Sequence, residues 1–144
     1  MKYETGNIWD IESEGICIPT NGVVKKNGFA TMGAGLALQA ALKYPELPKW
    51  LGNRLSDIGN NVRVYPTKEC RLIMVPTKNH WKDKSDITLI ENSLEELVEI
   101  VDFQCIKSVL ITKLGCGCGG LDWNQVKPLM EHYLDDRFVL VTPK

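Results

Sequence analysis

The sequence predicts a three-layer α/β/α sandwich, an α/β fold built around a mixed central sheet. Short apolar runs typical of buried strands alternate with segments whose apolar residues recur at helical spacing. The connections between these runs are long enough for crossovers between parallel strands. A length of 144 residues matches one domain, 1–144, with a single substantial core.

Charge and hydropathy narrow the classes of protein that the chain can belong to. It carries 17 Lys and Arg against 18 Asp and Glu, a net charge of −1, so no global basic field drives tight, sequence-independent binding to nucleic acid. The N-terminus lacks the apolar core of a signal peptide, and no apolar run approaches the ~20 residues of a membrane span. We expect a cytoplasmic monomer that does not bind membranes.

The five cysteines predict neither a disulfide framework nor a metal site. Their number is odd, and Cys17, Cys70 and Cys105 fall in or beside apolar runs, where we expect small buried hydrophobes. Cys116 and Cys118 stand one residue apart, which does not fit the spacing of a zinc knuckle. We therefore expect no metal and no cofactor. The chain has only two histidines, so the sequence gives little support for a Ser-His-Asp or Cys-His triad.

The N-terminal part of the chain predicts two strands. Residues 2–5 form a short first strand, and residues 15–18 form a buried strand that ends at Pro19. The polar turn 20–22 follows, and functional residues are often found in such turns at strand ends. Residues 23–31 have no clear period and are interpreted as a loop.

The remaining elements follow the same alternation. Residues 46–61 predict a short helix or a loop that covers the sheet. Ser85 or Thr88 can cap a helix that runs to about Asp102 with its acidic face in solvent. Four further strands are expected at 62–65, 72–75, 109–112 and 138–141.

A glycine-rich stretch between a buried strand and an amphipathic helix organises the C-terminal third. Asp122 resembles a cap of that helix, 123–134, whose positive dipole end would point into the stretch. Glycine lets the backbone approach an anion closely, and four glycines lie here within six residues, at Gly115, Gly117, Gly119 and Gly120. The pattern predicts a phosphate-binding loop, with a purely structural turn as the alternative.

A second glycine pair precedes another helix. Gly33 and Gly35 stand before small and apolar residues that run to Tyr44 and stop at Pro45. Two glycine-rich helix starts in one small domain could hold the two phosphates of a pyrophosphate from either side.

Five motifs in chain order resemble those of the macro domain family, and the resemblance is greatest to its DarG-type and terminal ADP-ribose glycohydrolase branch. The resemblance covers nearly the whole chain. The motifs are Thr5-Gly6-Asn7-Ile8-Trp9, Pro19-Thr20-Asn21-Gly22, Met32-Gly33-Ala34-Gly35-Leu36-Ala37, Pro76-Thr77-Lys78-Asn79-His80-Trp81-Lys82 and Leu114 to Trp123.

The resemblance implies an ADP-ribose pocket at the C-terminal ends of the central strands. Asn7 would face the adenine, Asn21 would approach the distal ribose, and Lys78 corresponds to the family's catalytic lysine. The two glycine loops would enclose the diphosphate. The catalytic residues expected on this basis are Lys78 and Asn21, and the ligand-binding residues are Asn7, Ile8, Thr20, Met32, Gly33, Ala34, Gly35, Leu36, Thr77, His80, Trp81, Gly115, Cys116, Gly117, Cys118, Gly119 and Gly120.

Two positions depart from the family's pattern. Many macro domains carry Asp where Asn7 stands, and Asn can still contact the adenine amino group through its carbonyl. Terminal ADP-ribose glycohydrolases carry an acidic residue in the second glycine loop, where this chain has Gly119. The second departure favours the DarG-like arrangement or a different reaction.

The resemblance further implies an enzyme that removes ADP-ribose from a carboxylate ester on protein or from a thymidine base in DNA. Such hydrolysis passes through a cation-like transition state. Lys78 could donate to the leaving group or attack the opened ribose as an amine, and the bland alternative is an exposed lysine at a strand end. His80 could act as acid or base, or merely pack beside Trp81.

Two other functions share the same pocket. They are a phosphatase that acts on ADP-ribose 1″-phosphate and a reader module that binds ADP-ribose without cleaving it. A DNA-linked substrate would favour a local basic strip, which could be formed by Lys25, Lys26, Lys78, Lys82 and Lys84.

Overall fold

The computed structural model describes residues 1–144 and arranges them around one six-stranded sheet. None of its helices has both the length and the apolar character needed to cross a membrane. The strands are β1 (Lys2–Thr5), β2 (Gly15–Thr20), β3 (Arg63–Pro66), β4 (Arg71–Pro76), β5 (Val109–Ile111) and β6 (Phe138–Thr142). The helices are α1 (Gly35–Lys43), α2 (Leu47–Ile58), α3 (Ile87–Phe103) and α4 (Trp123–Tyr133), with one 3₁₀ turn at Ile8–Asp10.

The strand order in the sheet is β1-β6-β5-β2-β4-β3. All neighbours are parallel except β3, which runs antiparallel to β4. The mixed sheet is therefore confirmed. Because five strands run in the same direction, their carboxyl ends lie along one edge of the sheet in the order β1, β6, β5, β2, β4.

The sheet is covered on both faces, which confirms the three-layer sandwich. One face buries Leu94 and Leu97 of α3 and Met130 of α4. The other face buries Ala40 of α1 and Leu51 of α2. The central strands β2, β4 and β5 are covered on both sides and read as continuous apolar runs, which is why they were visible in the sequence.

Two local predictions were wrong. The N-cap of α3 is Asp86, whose carboxylate accepts hydrogen bonds from the amides of Thr88 and Leu89; neither Ser85 nor Thr88 takes that place. Ser85 is buried before the helix begins, and its amide donates to another loop. Cys105 is exposed and has a φ of +55°, because the chain reverses there after α3.

Candidate functional site

A cavity of about 1250 Å³ lies along the carboxyl ends of the five parallel strands. Four inter-strand spacings of about 4.8 Å separate β1 from β4, so the cavity is elongated over roughly 19 Å. Its residues follow the strand order, from the segment after β1 at one end to the segment after β4 at the other. In an open sheet, this edge is where ligands bind.

The first glycine loop, Met32–Leu36, lines the middle of the cavity and leads into α1. Ala34 is the N-cap of α1 and makes no side-chain capping bond. The amides of Gly33, Gly35 and Leu36 have no acceptor within the chain. Free amides and the positive end of the helix dipole therefore face the cavity together, as an anion site requires.

The second glycine loop, Gly115–Gly120, faces the first across the cavity as far as Gly119. The amides of Gly117, Cys118 and Gly119 have no acceptor within the chain. Asp122 caps α4 by accepting from the amide of Asn124, and no residue of α4 lines the cavity. The predicted cap is confirmed, and α4 begins three residues after Gly120, beside the glycine stretch as expected. Because the Asp122 carboxylate occupies this helix end, it is not left open for an anionic ligand in the cavity.

Packing explains why position 119 is occupied by glycine. A Cβ added there would clash with Ser85 Oγ and lie 2.5 Å from the carbonyl oxygen of Gly115. The amide of Ser85 also donates to the carbonyl of Gly119 over 2.8 Å. The acidic side chain expected at this position in the other branch of the family therefore does not fit this backbone.

Lys78 lies at the end of the cavity that follows β4. Its Nζ donates to the carbonyls of Trp81 and Asp83, each over 3.2 Å. A lysine ammonium has three donors, so one remains for a ligand. The side-chain amide of Asn60 donates to the carbonyl of Lys78 over 3.2 Å and to Asn79 Oδ1 over 3.1 Å, and it thereby fixes the backbone that carries the lysine.

Asn21 lines the same end of the cavity, and its amide connects two segments. Its Nδ2 donates to the carbonyl of Thr31 over 3.1 Å, and its Oδ1 accepts from the amide of Val23 over 3.0 Å. One N–H and one lone pair remain for a ligand. The amide of Thr77 donates to the carbonyl of Thr20 over 3.0 Å, which keeps the ends of β2 and β4 together.

The cavity is electropositive. Its lining includes Lys78, Lys113 and Lys144 and no Asp or Glu. Burial raises the pKa of the Cys116 thiol, whose Sγ donates to the carbonyl of Leu114 over 3.4 Å, so this thiol is a weak nucleophile near neutral pH. The arrangement suits an anionic ligand and leaves Lys78 as the ionisable group beside the β4 end.

The structure brings 17 of the 19 predicted site residues to the cavity, and the exceptions are His80 and Gly120. His80 accepts from the amide of Lys82 through Nδ1 and stacks on Trp81, with ring centroids 5.7 Å apart. Gly120 has a φ of +73° and faces the side chain of Lys84. Both residues therefore contact other residues of their loops and do not line the cavity.

Several lining residues were not predicted. Thr142, Pro143 and Lys144 line the cavity because β6 lies between β1 and β5, an order that the sequence alone does not reveal. Gln39 stands one helical turn after Gly35, so its place on the cavity side of α1 could have been found from helical spacing. Lys25 and Lys26 lie on the loop 23–31 and do not line the cavity.

Comparisons with known proteins agree with this geometry. Residues 60–130 match the model of the Macro domain family. The chain is 31% identical over 135 residues to the DNA ADP-ribosyl glycohydrolase of Mycobacterium tuberculosis. The aligned region covers 88% of this chain and 36% of that protein. The chain spans less than two fifths of the length of the curated relatives it matches.

Two solved structures share the fold over almost the whole chain. The macrodomain of Mycobacterium tuberculosis DarG has a TM-score of 0.81 and 28% identity, with 99% of this chain and 97% of that chain covered. Thermosipho africanus DarTG in complex with ADP-ribose has a TM-score of 0.82 and 25% identity, with 99% of this chain and 42% of that chain covered. The chain therefore belongs to the macro domain family and is similar to the macro domains of DarG proteins.

Proposed function

We propose that this chain binds ADP-ribose in the cavity and hydrolyses an ADP-ribosyl linkage on a macromolecule, with DNA as the acceptor. The Mycobacterium tuberculosis relative is named a DNA ADP-ribosyl glycohydrolase, and the Thermosipho africanus structure holds ADP-ribose. Both are similar to this chain over most of its length.

The observation that carries the proposal is the order of groups along the cavity. Two sets of free amides face each other in its middle, at Met32–Leu36 and Gly115–Gly119, where they suit a diphosphate. Asn7 lies at the β1 end and Lys78 at the β4 end. In the orientation that the resemblance implies, an ADP-ribose that spans the cavity has its adenine near Asn7 and its distal ribose near Lys78 and Asn21.

Hydrolysis breaks the bond between the anomeric carbon and the acceptor, adds the hydroxyl of a water molecule to that carbon, and delivers a proton to the acceptor. The proton that the water loses restores the group that protonated the acceptor. With no Asp or Glu in the lining, Lys78 is the group at the β4 end that can donate a proton to the leaving acceptor. Its two carbonyl acceptors hold the ammonium and leave one N–H free. A neutral amine held by the same two carbonyls would have its lone pair at this position instead, so attack on the opened ribose is the alternative role of Lys78.

The test is a panel of three substrates: a single-stranded oligonucleotide ADP-ribosylated on thymidine, an ADP-ribosylated protein, and ADP-ribose 1″-phosphate. We expect release of ADP-ribose from the oligonucleotide. Replacing Lys78→Ala should lower the rate by about 10²- to 10⁴-fold, the range of general acid–base catalysis, with a much smaller loss of ADP-ribose affinity by calorimetry.

Lys107→Ala is the matched control, because Lys107 is exposed beside the start of β5, at the opposite edge of the sheet. A full rate in Lys78→Ala would disprove the role of the lysine. Phosphate release from ADP-ribose 1″-phosphate alone would identify a phosphatase instead. Binding of ADP-ribose without turnover of any substrate would identify a reader module.

A further inference from the structure

Trp81 lies where the acceptor leaves the cavity. It lines the β4 end together with Lys78, and its carbonyl accepts from Lys78 Nζ. If the nucleotide half of the ligand extends towards β1, the acceptor attached to the distal ribose leaves the cavity beside Lys78 and contacts Trp81. This step rests on the proposed function.

The Trp81 ring is both exposed and held in place. The residue is 49% exposed, although a large aromatic side chain normally gains from burial. The His80 ring stacks on it at an interplanar angle of 26°, and Lys82 Nζ lies 5.3 Å from its centroid. The segment 78–84 carries three lysines and one aspartate. A fixed, half-exposed aromatic ring among cations suits a flat group on a polyanion.

We propose that Trp81 is a stacking platform for a nucleobase next to the ADP-ribosylated base of a single strand, and that Lys82 contacts the strand's backbone phosphate. Stacking on tryptophan is tolerant of sequence, because every base has a π-face. In a duplex, that neighbouring base is already stacked and paired. The platform therefore favours single-stranded nucleic acid over a duplex and over a peptide acceptor, which offers neither a base nor a phosphate backbone.

The experiment compares binding of two ligands in the Lys78→Ala background, where turnover is slowed. One is free ADP-ribose, and the other is a short single-stranded oligonucleotide with one ADP-ribosylated thymidine near its middle. We expect the oligonucleotide to bind more tightly. Adding Trp81→Ala should weaken oligonucleotide binding by about tenfold more than ADP-ribose binding, which corresponds to about 1.4 kcal/mol and lies in the range of base–aromatic stacking. Trp81→Phe should restore most of the difference.

Phe103→Ala is the matched control, since Phe103 is 86% exposed at the far end of α3. Equal affinities for the two ligands, or equal losses in Trp81→Ala, would overturn the platform whether or not the wild-type protein hydrolyses DNA-linked ADP-ribose. The same differential loss on an ADP-ribosylated peptide would overturn the nucleic-acid assignment. A preference for the oligonucleotide without wild-type turnover would keep the platform and reject the hydrolase.

Salt dependence tests the role of Lys82 separately. A lysine that neutralises one phosphate of a single strand contributes about −0.7 to the slope of log affinity against log salt concentration. Lys82→Gln should therefore reduce that slope by about 0.7 for the oligonucleotide and leave the slope for free ADP-ribose unaltered. An equal change for both ligands would place Lys82 beside the diphosphate and reject its contact with the strand.

Discussion

The two glycine loops of the cavity resemble each other in sequence but differ in their surroundings. An added Cβ at Gly33 or Gly35 would meet no atom within 4 Å, because the first loop opens into the cavity. At Gly115 and Gly119, an added Cβ would collide with Ser85, and at Gly115 also with Ile90. Glycine in the first loop keeps space for a ligand, whereas these two glycines of the second loop keep space for the protein's own core.

The helix ends differ in the same way. The first turn of α1 has no side-chain cap and leaves its amides for a ligand, whereas Asp122 caps α4. The second loop is instead tied to the segment that carries the lysine, because the amide of Ser85 donates to Gly119 and Lys78 Nζ donates to Asp83. The first loop therefore offers an uncapped helix end to an anion, whereas the second loop is held at a fixed distance from Lys78.

The largest expected effect is that of Gly119→Ala. The new methyl group would overlap Ser85 Oγ and press on the carbonyl of Gly115, neither of which can move without shifting a loop. Overpacking of this kind costs about 3 kcal/mol, which lowers Tm by roughly 10 °C in a domain of this size. Calorimetry should show a parallel loss of ADP-ribose affinity.

Gly117→Ala is the control within the same loop, since its Cβ would meet nothing within 4 Å and its φ is not positive. Its unfolding free energy should change by less than about 0.5 kcal/mol. Similar losses in both variants would contradict the distinction between packed and open glycines.

Gly35→Ala should have an intermediate effect. There is room for the methyl group, but the residue has a φ of +56°, which costs a non-glycine residue about 1 kcal/mol. Gly33→Ala, in the same loop without a positive φ, should not change the unfolding free energy measured in urea. A loss in Gly33→Ala as large as that in Gly35→Ala would show that the first loop is packed as tightly as the second.

The smallest expected effect has the opposite sign. Ser85 is 6% exposed and its Oγ has no hydrogen-bond partner, so Ser85→Ala should raise the unfolding free energy by up to about 1 kcal/mol. Ser93→Ala is the matched comparison, because Ser93 is also buried but donates to the carbonyl of Pro76 over 2.7 Å. It should lose about 1 kcal/mol. A stability loss in Ser85→Ala would reveal an unrecognised partner of its hydroxyl.

Most of the site could be predicted because its residues follow strand ends directly. Asn21 and Lys78 come within two residues of the ends of β2 and β4, and parallel strands deliver such residues to one edge. The C-terminal segment, Thr142 to Lys144, was missed because its place depends on β6 pairing with β1 and β5. That pairing joins residues far apart in the chain, which local patterns do not encode.

The sequence by itself determined the alternation of strands and helices, the two glycine loops and the lysine that follows β4, since these depend on local apolar spacing and on backbone freedom. Only the tertiary structure decided which glycines face a ligand and which face Ser85, and that the dipole of α1, rather than that of α4, is free for an anion. The physical reason is packing: whether a missing Cβ leaves open space or makes room for a neighbour depends on which distant segment folds against it.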